Sequence, residues 1–266
     1  MTTKSRTRRL ATLVSASLLV AGTAIFSALP AEAAPGQPGP SSGKVAYASL
    51  GDSYAAGVGG GDYLDACFRS PNSYASVIAD EPGMVHVALV GCTGATTTEV
   101  VQTQLAGLDQ RTKLVTLTVG ANDLGLDALT AACLGGPIEV CLAAIAEAQA
   151  NLGPLAASLS ATLAAVREAA PNATVIVTGY PLLFENPPVG SVELLVNQGI
   201  LALNATIEAT VLAAGSGFVY VDLVDAFAGH SLGSTDPWLV APPAPDAFHP
   251  NPAGYAAIAD AILAVI

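Results

Sequence analysis

The sequence is poor in basic residues, histidine and cysteine, and each shortage argues against a class of function. Nine lysines and arginines stand against 21 acidic residues among 266, a formal net charge of −12. Such a surface repels a phosphate backbone, so we expect no nucleic acid partner. Three histidines and the lack of a C-x-x-C pair leave little material for a metal centre. We expect neither a metal nor another cofactor.

The N-terminal segment combines the three parts of a secretory signal peptide. Residues 1–9 are basic, residues 10–29 are apolar with many small side chains, and Ala31-Glu32-Ala33 forms an A-x-A cleavage site. The apolar run approaches the length of a membrane span, so an uncleaved anchor is the alternative. The small residues and the cleavage site favour removal of residues 1–33. We therefore expect a secreted, extracellular protein.

The rest of the chain is acidic and uniform in composition. Without residues 1–33 it keeps 5 of the basic and 20 of the acidic residues, a formal net charge of −15. Residues 34–43 are rich in proline, glycine and serine, which predicts a flexible leader. No internal repeat and no second composition block follows. Residues 44–266 are therefore expected to form a single domain, and we expect it to be a monomer.

Four cysteines lie in the part of the chain that is predicted to be exported. They are Cys67, Cys92, Cys133 and Cys141. An even number of cysteines in an oxidising compartment predicts two disulfides, for which three pairings are possible. The short separation of Cys133 and Cys141 favours a local bridge between them, which leaves Cys67 to pair with Cys92.

Apolar strands alternate with helical segments along the predicted domain. The predicted strands are residues 45–50, 84–90, 114–119, 173–178 and 218–222. The predicted helices are residues 73–79, a segment from Thr96 or Thr97 to Leu105, residues 138–170 with a break at Gly153-Pro154, residues 192–214 and residues 252–265. This alternation predicts an α/β fold, a three-layer α/β/α sandwich with a central five-stranded parallel sheet. Apolar residues at helical spacing between 145 and 166 predict a helix face that packs on the sheet.

Three predicted strands end in segments rich in glycine and polar residues. These segments are Gly51-Asp52-Ser53, Cys92-Thr93-Gly94 and Gly120-Ala121-Asn122. The carboxyl ends of parallel strands lie at one edge of a sheet, so Ser53, Gly94 and Asn122 can converge there. Ser53 would supply a nucleophilic hydroxyl, while its own amide, the Gly94 amide and the Asn122 side chain would bind an oxyanion. An ordinary strand-to-turn junction is the alternative for the serine segment.

A general base has to come from one of the three histidines. His86 lies within a predicted strand and His230 lies in a Gly-His-Ser loop, whereas His249 follows Asp246 by three residues, just ahead of the last helix. A carboxylate at that spacing can reach the imidazole and fix its tautomer, which leaves the other ring nitrogen to take a serine proton. Asp246 is therefore the candidate orienting group. A helix-capping aspartate beside a loop histidine is the alternative.

Four blocks, in this order, resemble the SGNH (GDSL) hydrolase family. The blocks are Gly51-Asp52-Ser53-Tyr54, Cys92-Thr93-Gly94-Ala95-Thr96, Gly120-Ala121-Asn122-Asp123 and Asp246-Ala247-Phe248-His249-Pro250. The run of residues 51–57, the Cys-x-Arg-Ser segment of residues 67–70 and residues 92–96 are similar to the secreted actinobacterial branch of lipases, esterases and phospholipases. The resemblance implies a flavodoxin-like sandwich. It also implies a nucleophile at Ser53, a base at His249 and an orienting partner at Asp246.

The same resemblance assigns further roles to this chain. The Ser53 amide, Gly94 and Asn122 would form the oxyanion hole, with Gly91 as the alternative to Gly94. Asp52 and Asp123 would support the loops that hold the site, and Cys67 would be bonded to Cys92.

The function that the resemblance implies is the hydrolysis of carboxylic esters, with lipid or other acyl esters favoured as substrates. A lipid substrate would bring transient contact with lipid surfaces. A carbohydrate acetylesterase on the same fold and a catalytically inactive secreted binding protein are the alternatives.

Overall fold

The computed structural model describes residues 43–135 and 137–266. The predicted signal peptide lies outside the described residues, and so does the predicted leader apart from Gly43. The strands of the described part are β1 (Val45–Gly51), β2 (Met84–Leu89), β3 (Leu114–Thr118), β4 (Thr174–Thr178) and β5 (Phe218–Val221). All of them pair in parallel, in the order β2-β1-β3-β4-β5. This is the order of flavodoxin-like sheets, and the predicted five-stranded parallel sheet is confirmed.

Helices cover both faces of this sheet. They are α1 (Ser53–Ala56), α2 (Tyr74–Ala79), α3 (Thr97–Thr103), α4 (Leu126–Gly135), α5 (Ile138–Ala150), α6 (Leu152–Ala169), α7 (Val192–Ala214) and α8 (Pro252–Leu263). α2 packs against α8 in one layer, while α6 packs against α3 and α7 in the other. The predicted three-layer sandwich is confirmed. By length and composition α7 could also cross a bilayer, but in this fold it lies against α6 and β5.

The long helical region predicted for residues 138–170 is two helices, and the predicted position of the break is wrong. α5 ends at Ala150, α6 begins at Leu152, and the two helices are bent by 43°. Pro154 lies within the first turn of α6. Backbone N–H groups in a first turn have no partner inside the helix, so proline is tolerated there and does not break the helix.

The α4 helix was not predicted from the sequence. All but two of its residues, Asp127 and Thr130, are apolar or small, so the segment gives little alternation of polar and apolar residues from which a helical period could be recognised.

Two disulfides join loops and helices around the carboxyl edge of the sheet. Cys67 is bonded to Cys92, which connects the loop after α1 with the loop after β2. Cys133 in α4 is bonded to Cys141 in α5. The favoured pairing is confirmed.

Candidate active site

Ser53 is placed by the turn from β1 into α1. Gly51 ends the strand with φ +128, and a Cβ there would collide with the main-chain oxygen of Thr118, so the turn requires glycine. Asp52 caps α1 by accepting a hydrogen bond from the Tyr54 amide at 2.9 Å. Ser53 is the first residue of α1 and is 8% exposed. Since β1 lies between β2 and β3, this is also the edge at which the strand order reverses.

His249 meets Ser53 from the far end of the chain. Its Nε2 lies 2.8 Å from the Ser53 Oγ, although 196 residues separate the two in sequence. Its Nδ1 lies 3.2 Å from the main-chain oxygens of both Asp246 and Ala247. A proton on Nδ1 satisfies these two carbonyls and leaves the Nε2 lone pair for the serine proton. Burial lowers the pKa of His249 below its usual value of 6.5, which favours the neutral imidazole.

The Asp246 carboxylate does not take the place expected from its spacing. Its Oδ2 accepts a hydrogen bond of 2.6 Å from the Tyr63 hydroxyl, which in turn accepts one of 2.8 Å from the Gly59 amide. The orienting contacts to His249 come from main-chain oxygens, because the tight turn brings the backbone under the imidazole. The predicted turn does contact the imidazole, but through the main-chain oxygen of Asp246 and not through its carboxylate.

Tyrosine hydroxyls tie the histidine loop to the serine loop. Tyr54 donates to the Phe248 main-chain oxygen at 2.8 Å, and Tyr255 donates to the Val58 main-chain oxygen at 2.7 Å. Gly59 lies so close to the Pro250 main-chain oxygen that a Cβ would collide with it. The glycines that follow Ser53 thus allow the close approach of the two loops.

The predicted oxyanion donors lie on neighbouring loops. The Asn122 side-chain Nδ2 donates to the Ala95 main-chain oxygen at 3.0 Å, which leaves its second hydrogen free. Gly94 precedes Ala95, is exposed and has φ +77. Gly91 is instead buried, and a Cβ there would lie 2.8 Å from the Ala55 backbone. Gly94 thus lies at the surface while Gly91 is packed against α1, and Gly94 stays the predicted oxyanion donor.

Two carboxylates, the buried Asp52 and the half-buried Asp123, bond neighbouring loops. Asp52 accepts a hydrogen bond of 2.5 Å from the Tyr180 hydroxyl, and burial raises the pKa of Asp52 to about 7. Asp123 accepts hydrogen bonds from the Thr97 amide and hydroxyl, which fixes the Asn122 turn to the start of α3. The role of Tyr180 was not visible in the sequence, because no local pattern links it to Asp52.

The other histidines lie outside this site. His86 is exposed on the edge strand β2. His230 stacks on Trp238 with 3.5 Å between ring centroids, and its Nδ1 lies 2.8 Å from the Asp236 main-chain oxygen. Residues 43–135 and 137–266 contain no cluster of His, Cys, Asp or Glu side chains arranged to hold a metal ion.

An apolar cavity of about 560 Å³ opens beside Ser53 and His249. Side chains of α5, α6 and α7 line it, among them Ile145, Leu152, Leu195, Val196, Ile200 and Leu203. Ile145 and Leu152 belong to the helix face that was predicted to pack on the sheet. That prediction holds for Leu155 and Leu159, which are buried, and in part for Leu152, which packs against the core and also lines the cavity. Ile145 lines the cavity instead.

The chain matches the model of the GDSL-like lipase/acylhydrolase family over residues 49–257. It is 35% identical to a lipase from Streptomyces rimosus, over 94% of this chain and 95% of that lipase. Its fold is similar to the crystal structure of an extracellular lipase from Streptomyces rimosus, with a TM-score of 0.76 and 34% identity over 84% of this chain and 100% of that one. Phospholipase A1 from Streptomyces albidoflavus NA297 gives a TM-score of 0.76 and 30% identity over 83% of this chain and 99% of that one.

Proposed function

Because this chain belongs to the GDSL-like lipase/acylhydrolase family and is an ester hydrolase of the SGNH lipase type, we propose that it cleaves acyl esters, lipid esters among them, through a covalent acyl-enzyme on Ser53. The observation that carries the proposal is the 2.8 Å contact between Ser53 Oγ and His249 Nε2 at the mouth of an apolar cavity. A nucleophile, its base and a place for an apolar acyl group then lie together.

The first half of the reaction acylates the enzyme. The Ser53 oxygen attacks the carbonyl carbon of the ester while its proton passes to His249 Nε2. The Ser53 and Gly94 amides and the Asn122 side chain donate to the oxygen that becomes negative. When this tetrahedral intermediate collapses, the bond to the leaving alcohol breaks and His249 returns the proton to that alcohol.

The second half releases the acid. A water molecule gives a proton to His249 Nε2 and attacks the acyl carbon, and the same donors stabilise the second oxyanion. Collapse breaks the bond to the Ser53 oxygen, which recovers its proton from His249. Throughout, the main-chain oxygens of Asp246 and Ala247 hold Nδ1 protonated, which stabilises the transient imidazolium.

The apolar lining favours lipid or other long acyl esters over acetylated carbohydrates. Sugar substrates require polar groups that replace their hydration, whereas the cavity is lined mainly by leucine, isoleucine, valine and alanine side chains. Relatives named as a lipase and as phospholipase A1 point the same way.

We also propose that the protein is exported. The support is the signal-peptide pattern of residues 1–33, the two disulfides and a similar structure described as an extracellular lipase.

A substrate panel tests the proposal. Purified protein is assayed side by side on p-nitrophenyl esters, phospholipids and acetylated glycans. We expect hydrolysis of the first two, loss of that activity in Ser53→Ala, and retention of it in Ser216→Ala, which alters an exposed serine. Activity on acetylated glycans alone would support the carbohydrate esterase, and no activity on any ester would support the binding protein.

A further inference from the structure

Gly199 is an unusual residue for its place in α7. It lies in the interior of a 23-residue helix and lines the cavity beside Ser53. Glycine is the least favourable helix residue after proline, so an interior glycine calls for a physical reason. Neighbours of Gly199 that line the same cavity are bulky, namely Leu195, Val196, Ile200 and Leu203.

Neither of the usual structural reasons for glycine applies to Gly199. Its φ lies outside the left-handed region that favours glycine. A Cβ built on Gly199 would meet no atom within 4 Å, so no neighbouring backbone or side chain needs the space. What lies beside Gly199 is the cavity itself. The missing side chain therefore enlarges the cavity without serving the packing of the helix.

The position of Gly199 along α7 can be related to the reacting groups. The Asn204 side chain bonds both main-chain groups of Tyr180, and the Tyr180 hydroxyl donates to Asp52, next to Ser53. Gly199 precedes Asn204 by five residues, which is about 7.5 Å along a helix axis. At a similar level of α7, Asn197 bonds the backbone of Phe184, farther along the loop that leaves β4. Gly199 thus lies farther from the end of β4 than Asn204 does.

The chemistry of the cavity wall selects an apolar occupant. The described residues that line it include no lysine, arginine or glutamate, and its one acidic member, Asp52, is engaged by Tyr180 and the Tyr54 amide. Beyond the reacting groups the wall is mostly aliphatic, supplied by residues such as Ile145 and Leu152. An unbranched alkyl chain fits such a wall, since it has no polar group that would be left without a partner.

We propose that the space beside Gly199 receives the alkyl chain of the acyl group and that Gly199 sets the chain length that the enzyme accepts. This inference rests on the proposed acyl-enzyme at Ser53, because the chain must be attached to the carbonyl that Ser53 attacks. Long acyl chains pass Gly199, whereas acetyl esters do not extend that far.

The experiment varies the acyl chain and keeps the leaving group constant. Values of kcat/KM are measured on p-nitrophenyl esters from acetate to dodecanoate for the wild type, Gly199→Ala and Gly199→Leu. Ala205→Leu is the matched control, because Ala205 is exposed on the same helix. Wild-type kcat/KM is expected to rise by about fourfold per added methylene while the chain is still entering the cavity.

The expected result is a change of chain-length preference. Gly199→Leu should keep acetate hydrolysis and lose activity on the longest esters by on the order of tenfold, as if about two methylenes were excluded. Gly199→Ala should show a smaller loss of the same kind, and Ala205→Leu should follow the wild type.

The failures of the two proposals are distinguishable. A wild-type profile in both Gly199 variants, with hydrolysis intact, would overturn the role of Gly199 and leave the acyl-enzyme untouched. No ester hydrolysis by the wild type would instead overturn the proposed function. If Gly199→Leu loses acetate activity as well, the ratio of long-chain to acetate activity in Gly199→Ala decides, and an unchanged ratio contradicts the inference.

Discussion

The Tyr63 hydroxyl donates a hydrogen bond of 2.6 Å to the Asp246 carboxylate and accepts one of 2.8 Å from the Gly59 amide. At the scale of single residues, this contact keeps a negative charge from bonding the imidazole of His249. Main-chain oxygens carry only a partial charge, but they are fixed by the turn and do not titrate. We therefore propose that main-chain oxygens orient His249 and that the Asp246 side chain links two loops.

Asp246→Asn separates a side-chain role from a main-chain role. The variant keeps an oxygen for the Tyr63 hydroxyl and leaves the main-chain contacts to His249 in place, so we expect kcat/KM within about tenfold of the wild type. A carboxylate that oriented the imidazole would cost about 10⁴-fold on the same change. Steady-state kinetics on a p-nitrophenyl ester measures the difference, with Asp260→Asn on the exposed side of α8 as control. A loss near 10⁴-fold would show that the carboxylate is the orienting group.

The acidic side of the pH profile reports the state of His249. Burial is the main cause that lowers the pKa of this imidazole, and hydrogen bonds to the Asp246 and Ala247 carbonyls only partly offset it. The proposed base accepts a proton only when it is neutral, so activity should fall as the pH drops through this lowered pKa. We expect a midpoint below 6.5 in a plot of kcat/KM against pH. A midpoint above 6.5 would contradict this environment for the base.

At the scale of elements, the Cys67–Cys92 disulfide supports the loop that carries Gly94. The Thr93 amide donates to the Cys67 main-chain oxygen at 3.1 Å, and the Cys92 amide donates to the Gly51 main-chain oxygen at 3.0 Å. The disulfide thus ties the Gly94 loop to the loop after α1, and the Cys92 amide ties it to the end of β1. The Cys133–Cys141 disulfide instead joins α4 to α5, and α5 lines the apolar cavity beside Ser53.

The two disulfides should therefore fail differently when each is replaced by a pair of serines. Loss of Cys67–Cys92 should lower the free energy of unfolding by about 3 kcal/mol and lower kcat/KM for esters of every chain length. The Cys133–Cys141 disulfide closes a shorter loop, and its loss should lower kcat/KM most for long-chain esters. Thermal unfolding and the ester series measure both effects. Uniform, equal losses in the two variants would contradict this division.

How much of an element could be predicted depended on its pattern. α7 was predicted at its observed bounds, and the structure shows Ser191 capping its start and Gly215 following its end, whereas α4 is almost uniformly apolar and was missed. Periodicity placed Ile145 and Leu152 on the apolar face of a helix, but it could not tell whether that face meets the sheet or a cavity. A helical period predicts the direction in which a side chain points, but not which part of the protein it meets there.

At the scale of the whole molecule, the alternation of strands and helices predicted the three layers of the fold. The glycine-rich strand ends predicted that the candidate site lies at the carboxyl edge of the sheet. Contacts over long separations followed only where a motif marked both ends, as for Ser53 and His249. No motif links the partners of the two tyrosine hydrogen bonds, from Tyr63 to Asp246 and from Tyr180 to Asp52. These tyrosine bonds depend on loop conformations that no local pattern of residues specifies.

The charge of the whole molecule predicts a preference among lipid surfaces. Residues 34–266 carry a formal net charge of −15, so anionic vesicles should repel the protein. We expect faster hydrolysis of zwitterionic than of anionic phospholipid vesicles, with the difference shrinking at ~1 M salt, where the screening length is about 3 Å. Equal rates on the two vesicles at low salt would contradict this prediction.

Labelling with a fluorophosphonate tests the central claim most directly. The reagent phosphonylates an activated serine, and peptide mass spectrometry locates the adduct. The account predicts one adduct on the peptide that contains Ser53, complete loss of ester hydrolysis, the same labelling of Ser216→Ala, and none of Ser53→Ala. Full hydrolysis after exhaustive labelling, or an inactivating adduct on a different residue, would contradict the assignment of Ser53 as the nucleophile.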